Sequence, residues 1–201
     1  MSDGRSAGTL ALVGVVGRSC WDAFQAAAES RDERPHPLDR WSRRVVSGLA
    51  SELGAEPLFP FDGPPFLPFI RWAQRAEAVY PSAMGPLIHP DYGLWHAYRG
   101  ALAFAETLDL GPRDTRPSPC DACEDKPCLA TCPVGAFSAA GYDVAACVAH
   151  IGGARGGECL SAGCLARRAC PVGVTFQYAM EQMGFHMEAF LAASERSFRQ
   201  K

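Results

Sequence analysis

The pattern of apolar positions predicts that the chain opens with one β-strand and two amphipathic helices. Residues 9–17 form an apolar run that is rich in Leu and Val and closes on glycine, which is typical of a buried strand. Residues 20–30 and 39–53 follow, each with apolar side chains at helical spacing. These side chains are Trp21, Phe24 and Ala28 in the first segment, and Trp41, Val45, Leu49 and Leu53 in the second. Gly54 is expected to end the second helix.

Prolines and glycines divide the middle of the chain. Residues 57–68 hold five prolines, so we expect no regular structure there before a short helix at 69–79. Residues 86–104 carry two apolar stretches separated by Pro90, Asp91 and Gly93, which predicts strand, turn, strand. Residues 111–119 are rich in proline and charge, and they predict a boundary between an α+β domain (1–110) and a second domain (111–201).

The second domain is expected to end in an amphipathic helix within residues 175–193. The apolar positions of that helix are Phe176, Met180, Met183, Met187 and Phe190.

Composition and charge narrow the class of protein. The 201 residues are 48% hydrophobic, which is enough to bury a core, and 19 Lys+Arg against 22 Asp+Glu gives a net charge of −3. A nucleic-acid partner is therefore not expected. No apolar run is long enough to span a membrane, and Arg18 follows residues 9–17 without a signal-peptide cleavage site. We expect a cytoplasmic protein whose thiols stay reduced and available as metal ligands.

Eight of the nine cysteines lie between Cys120 and Cys170. They form two series that each end in Cys-Pro: Cys120, Cys123, Cys128 and Cys132, then Cys147, Cys159, Cys164 and Cys170. In proteins with two [4Fe–4S] clusters, the Cys-Pro cysteine of each series crosses to the other cluster. This rule assigns Cys120, Cys123, Cys128 and Cys170 to cluster I. It assigns Cys132, Cys147, Cys159 and Cys164 to cluster II.

Other interpretations of the cysteines remain open. Four thiolates per site would also hold zinc, although zinc ribbons usually present two separated Cys-x2-Cys pairs and this chain has one. The cysteines could also be buried thiols or disulfide-linked. His150 could replace one thiolate of cluster II, and Cys20 is expected to be a small buried hydrophobe beside Trp21.

Two segments carry a resemblance to known families. In the order of their cysteines, residues 120–171 resemble the iron–sulfur module of epoxyqueuosine reductases and reductive dehalogenases, in which one isolated cysteine, here Cys147, separates two groups. Residues 87–100 (LIHPDYGLWHAYRG) look like the Ile-His-Pro-x-aromatic-Gly-x-Trp-x-x-x-Arg-Gly segment of the cobalamin-processing proteins of the methylmalonic aciduria type C family. The resemblance implies a flavin-reductase-like domain followed by a ferredoxin-like module.

The same resemblance implies a cofactor pocket lined by His89, Tyr92, Trp95 and Arg99. A corrinoid such as cobalamin would then be the ligand, held without a protein ligand to cobalt because the chain lacks the Asp-x-His-x-x-Gly motif.

Two functions follow as hypotheses, and whether the protein is an enzyme is left open. The first is an electron-transfer protein that passes single electrons from two [4Fe–4S] clusters to a redox partner protein or a bound cofactor. The alternative is a corrinoid-binding reductase, because a bare two-cluster ferredoxin needs far fewer residues than this chain has. A further hypothesis is a scaffold in which the clusters, or zinc, only hold the fold together.

Overall fold

The structure is a computed structural model that describes residue 4 and residues 6–138 and 141–199. It is a mixed α+β fold, 41% helix and 16% strand, with small sheets. The chain divides into two compact units, Met1–Ala78 with His96–Arg116, and Val79–Trp95 with Pro117–Lys201. The boundary predicted after residue 110 thus falls inside the first unit, and Val79–Trp95 belongs to the second unit although the sequence analysis assigned it to the first domain.

The described chain contains two long helices and two strands of eight and nine residues, and its other elements are short. In chain order they are β1 (Thr9–Val16), α1 (Trp21–Ala26), α2 (Pro37–Leu53), β2 (Glu56–Leu58), α3 (Phe69–Ala76), β3 (Tyr80–Pro81), β4 (Leu87–Ile88), β5 (His96–Phe104), α4 (Pro127–Ala130), β6 (Phe137–Ser138), β7 (Gly141–Tyr142), α5 (Val144–Ile151), α6 (Gly157–Ala162), α7 (Leu165–Arg168) and α8 (Met180–Arg199). Two 3₁₀ turns lie at Ala28–Ser30 and Val174–Phe176.

The sheet of the first unit has the strand order β1-β5-β2, and both neighbours run antiparallel to β5. The predicted first strand is present, but it is an edge strand and most of its residues are only half-buried. Pro57 pairs with Leu102 in β2, so the expectation of no regular structure across 57–68 is wrong at its start. Proline is tolerated there because β2 is also an edge strand, where an N–H facing solvent is not needed.

Helix α2 covers the sheet with a different face from the predicted one. The buried side chains are Ser42, Val46 and Ala50, whereas Val45, Leu49 and Leu53 are exposed. The reason is close approach to the sheet: a Cβ on Gly100 of β5 would lie only 2.9 Å from a Val46 methyl group. Small side chains are needed at such a contact, so the larger residues are displaced to the next position around the helix.

The second unit combines two two-stranded hairpins, β3-β4 and β6-β7, with five helices among its described residues. Helix α8 packs on α5 and α6. It begins later than predicted, so Phe176 lies in a 3₁₀ turn and Met180 is exposed, while Met183 is buried as expected. In the described part of the chain, no helix has the length and apolarity required to cross a membrane.

Candidate metal centre

The second unit gathers eight cysteines on short helices and the loops that join them. Cys128 lies in α4, Cys147 in α5 and Cys159 in α6, and Cys164 immediately precedes α7. All nine cysteines of the chain are free thiols. Helices α4 to α7 have only four to eight residues, so the chain changes direction often enough for several segments to bring their cysteines together.

Four of these thiols form one neighbourhood, which we call group I: Cys120, Cys123, Cys128 and Cys170. Burial raises the pKa of Cys128, and the charges of Cys170, Cys120 and Cys123 raise it further. The pKa of Cys170 is likewise raised by burial and by the charges of Cys120 and Cys123. Mutual repulsion of this kind requires the thiols to be close, and a cation among them would relieve it.

The other four thiols, group II, surround one cavity. The lining comprises Cys132, Cys147, Cys159 and Cys164 together with Pro133, Val134, Phe137, His150, Ile151, Leu165, Ala166 and Met187. Burial raises the pKa of Cys164 and of Cys147, and Cys159 raises both further. The two groups coincide with the sets assigned from the Cys-Pro rule, and His150, the candidate substitute ligand, also faces this cavity.

Backbone N–H groups lie against several of the sulfurs. Ala136 donates to the Cys132 sulfur at 3.3 Å. The N–H groups of Arg167 and Ala166 lower the pKa of Cys164, and that of Val172 lowers the pKa of Cys170. Donors of this kind favour thiolate over thiol, so they offset part of the effect of burial, which still leaves the pKa of Cys164 and of Cys170 raised.

One apolar cluster contacts cysteines of both groups. Its buried members are Met84, Ile88, Leu94, Ala166 and Cys170, and the side chains packed against them include Cys120, Cys128, Cys132 and Cys164. Ile88 and Leu94 come from the segment Val79–Trp95, which explains why that segment belongs to the second unit. A shared apolar core limits water around both groups and holds them near one another.

The predicted cofactor residues His89 and Tyr92 form a closed turn. The backbones of His89 and Gly93 exchange two hydrogen bonds of 2.9 Å, and the His89 ring stacks on Tyr92 with 4.2 Å between centroids. His89 Nδ1 accepts hydrogen bonds from the backbone N–H groups of Asp91 (3.0 Å) and Tyr92 (3.3 Å). The backbone of the turn therefore uses Nδ1 of His89 as its hydrogen-bond acceptor.

Trp95 is buried in the second unit and packs edge-on against Tyr178, with ring centroids 5.3 Å apart. The Arg167 guanidinium lies 4.5 Å from the centre of the Trp95 ring and 4.7 Å from that of Tyr178. It also donates to the Leu94 carbonyl at 2.5 Å. Arg167 therefore ties Val79–Trp95 to helix α7, between the cysteines at 164 and 170.

Arg99, the fourth predicted cofactor residue, lies in the first unit. Its guanidinium pairs with Asp39 at 2.6 Å and donates to the buried Ser42 hydroxyl at 3.0 Å. These partners lie on α2, so Arg99 joins that helix to β5. A ligand role for the four residues stays a prediction.

A separate cleft of about 400 Å³ lies beside β1 in the first unit. It is lined by Ala7, Gly8, Leu10, Leu12, Trp72, Arg75, Ala76 and Leu110. None of the four residues predicted for the cofactor pocket is among these lining residues.

Two residues of the candidate metal centre are not predicted from the sequence. Adjacent arginines such as Arg167 and Arg168 are typical of a solvated edge, and only the fold shows the two aromatic rings beside Arg167. Tyr142 was not singled out, yet its hydroxyl bonds to Cys147. A signal was available, because Asp143 is a typical helix N-cap residue and the side chain before an N-cap often packs on the fourth helical residue.

The donor set fits an iron–sulfur cluster in each group, since each supplies four buried or half-buried thiols, apolar surroundings and N–H donors to sulfur. Among the described residues, no three His, Cys, Asp or Glu side chains are grouped as a site for a single metal ion. In comparisons with known proteins, no family model, no curated protein and no solved structure matches the chain significantly.

Proposed function

We propose that the protein transfers single electrons by means of two [4Fe–4S] clusters, one held by group I and one by group II. The observation that carries the proposal is the division of eight thiols into two sets of four, each drawing one ligand from the other cysteine series. A bound cubane cluster accepts and releases one electron at a time. Two such clusters against one apolar core form a path from a donor to a redox partner protein.

The protein's own groups have identifiable roles in this proposal. The thiols bind iron as thiolates, and the nearby N–H groups reduce the cost of holding that charge in an apolar setting. Met84, Ile88 and Leu94 exclude water, which protects iron–thiolate bonds and lets the surroundings set the potentials. Free thiols of this kind persist in a reducing compartment, so a cytoplasmic location belongs to the same proposal.

The finer fold assignments are also part of the proposal. A ferredoxin-like second unit is supported by the crossing of Cys132 and Cys170, each followed by proline, between the two groups. A flavin-reductase-like first unit is supported by its small antiparallel sheet covered by α2.

The test is metal analysis of protein purified without oxygen. We expect about eight iron atoms and about eight acid-labile sulfides per chain, as two cubanes require. Cys128→Ala and Cys159→Ala should each lose about half of both, because each removes one ligand of one cluster. The matched control is Cys20→Ala, which changes a cysteine of the first unit and should keep the full content.

Three outcomes would change the conclusion. Stoichiometric zinc without sulfide would replace the clusters with zinc sites. Full iron content in Cys170→Ala would refute the crossed assignment of ligands. Saturable binding of cobalamin, followed by visible spectroscopy, would favour the corrinoid-binding reductase over a protein that only carries electrons.

A further inference from the structure

Tyr142 stands between the β6-β7 hairpin and helix α5. In the hairpin it pairs with Phe137, which lines the group II cavity. The next residue, Asp143, starts α5: its carboxylate accepts the Ala146 N–H at 2.9 Å, and its own N–H donates to the Ala136 carbonyl at 2.8 Å. Both ends of the Tyr142 backbone are therefore fixed by the elements that build the cavity.

This helix start places Tyr142 beside a cysteine of group II. With Asp143 as N-cap, Tyr142 is the residue before the cap and Cys147 is the fourth residue of the helix. These two positions pack together in the arrangement known as the hydrophobic staple. Here the second member of the staple is a thiol rather than an aliphatic side chain.

The Tyr142 ring is held by two other aromatic rings. It stacks on Phe137, with 4.7 Å between centroids and 18° between planes, and on Phe190 of α8, at 6.3 Å and 24°. The hydroxyl donates a hydrogen bond to the Cys147 sulfur. The hydroxyl of a tyrosine is protonated at neutral pH, so it can act as the donor of this hydrogen bond.

We propose that Tyr142 is a positioning residue that raises the reduction potential of the cluster held by group II, by donating a hydrogen bond to the Cys147 sulfur. This inference rests on the proposed function. A hydrogen bond to a ligand sulfur stabilises the more negative, reduced cluster more than the oxidised one, because the added electron increases the charge on sulfur. Among the described residues of α5, Cys147 is the only cysteine, so the effect should reach one cluster only.

The experiment is a redox titration of the loaded protein, monitored by electron paramagnetic resonance, on three forms. Tyr142→Phe removes the hydroxyl but keeps the stacked ring, and it should lower the potential of one cluster while leaving the other unchanged. Replacement of Tyr142 by 3-fluorotyrosine keeps the ring and strengthens the donor, so it should shift the same potential upward. The matched control is Tyr178→Phe, a tyrosine of the same unit that packs on Trp95, which should move neither potential.

A second signature comes from the hydrogen bond itself. Electron–nuclear double resonance of the reduced protein, compared in H₂O and D₂O, should show an exchangeable proton coupled to one cluster that disappears in Tyr142→Phe. Clusters that assemble normally in all forms, with unchanged potentials, would refute the role of Tyr142 and leave the proposed function intact. Failure of the unaltered protein to assemble clusters would instead refute the proposed function. Loss of iron in Tyr142→Phe, with normal assembly in Tyr178→Phe, would replace potential tuning with a purely structural role.

Discussion

The sharpest test of the second unit compares the two Cys-Pro-Val-Gly boxes, which end in Gly135 and Gly173. Both glycines have a left-handed backbone, with φ of +58° and +70°. Nothing lies within 4 Å of the Cβ position of Gly135, whereas a Cβ on Gly173 would lie 2.3 Å from the Tyr92 carbonyl carbon and 2.6 Å from the Gly93 nitrogen. Gly135→Ala should therefore cost only the strain of a left-handed backbone. Gly173→Ala should cost that strain and, in addition, a steric clash with the backbone of Tyr92 and Gly93.

The magnitudes follow from these contacts. An alanine in the left-handed region costs about 1 to 2 kcal/mol, which is the full effect expected for Gly135→Ala. Gly173→Ala adds the cost of displacing backbone rather than a flexible side chain, and overpacking of that kind adds about 1 to 3 kcal/mol. The displaced segment is the turn from His89 to Gly93 or the chain after Cys170, so a ligand of group I should move as well.

The assay is denaturant unfolding without oxygen, combined with the rate of iron release to a chelator. Gly173→Ala should unfold at clearly lower denaturant than Gly135→Ala and release iron faster. Equal stability and equal iron release in the two variants would refute the claim that the turn of the second unit packs against the second box.

Four further predictions concern both units. Arg167→Met should destabilise the second unit by about 2 kcal/mol, since a charged hydrogen bond and two ring contacts are lost; unchanged unfolding would contradict this. Arg99→Met should cost about 2 kcal/mol in the first unit and leave the iron content unchanged, measured by unfolding and metal analysis. Iron chelation should increase amide hydrogen exchange in the second unit far more than in the first. The Arg44 guanidinium lowers the pKa of Glu29 to about 2, so the pair stabilises the fold at neutral pH and this contribution is lost as pH falls through that value; carboxyl NMR of the Arg44→Gln protein should show the Glu29 pKa near its ordinary value.

Local patterns predicted much of the secondary structure. The apolar run at the start forms β1, and α2 ends at Gly54, whose φ of +65° suits glycine. The buried face of α2 could not be predicted in the same way. Two neighbouring faces of the helix could pack on the sheet. The face with Ser42, Val46 and Ala50 is the buried one, because Gly100 lets the helix approach closely and small side chains fit that contact.

The tertiary contacts of the residues predicted to line a cofactor pocket could not be predicted from the sequence either. The residue types at 87–100 match the motif, but the sequence does not show which partners each of these side chains contacts in the fold. Ile88 and Leu94 pack around the cysteines, while Arg99 pairs with Asp39 in the other unit.

Sequence alone determined that the chain carries eight thiols in two series, each closed by Cys-Pro, because the order of residues is a covalent property of the chain. The Cys-Pro rule of two-cluster proteins predicts two sets of four ligands from that order. Tertiary structure decided what surrounds those sulfurs. The assignment of Val79–Trp95 to the second unit, the aromatic rings around Arg167 and the hydroxyl of Tyr142 at Cys147 all depend on side-chain packing, some of it between segments far apart in sequence. Such contacts form only where the whole fold brings the segments together, so local patterns of polarity do not encode them.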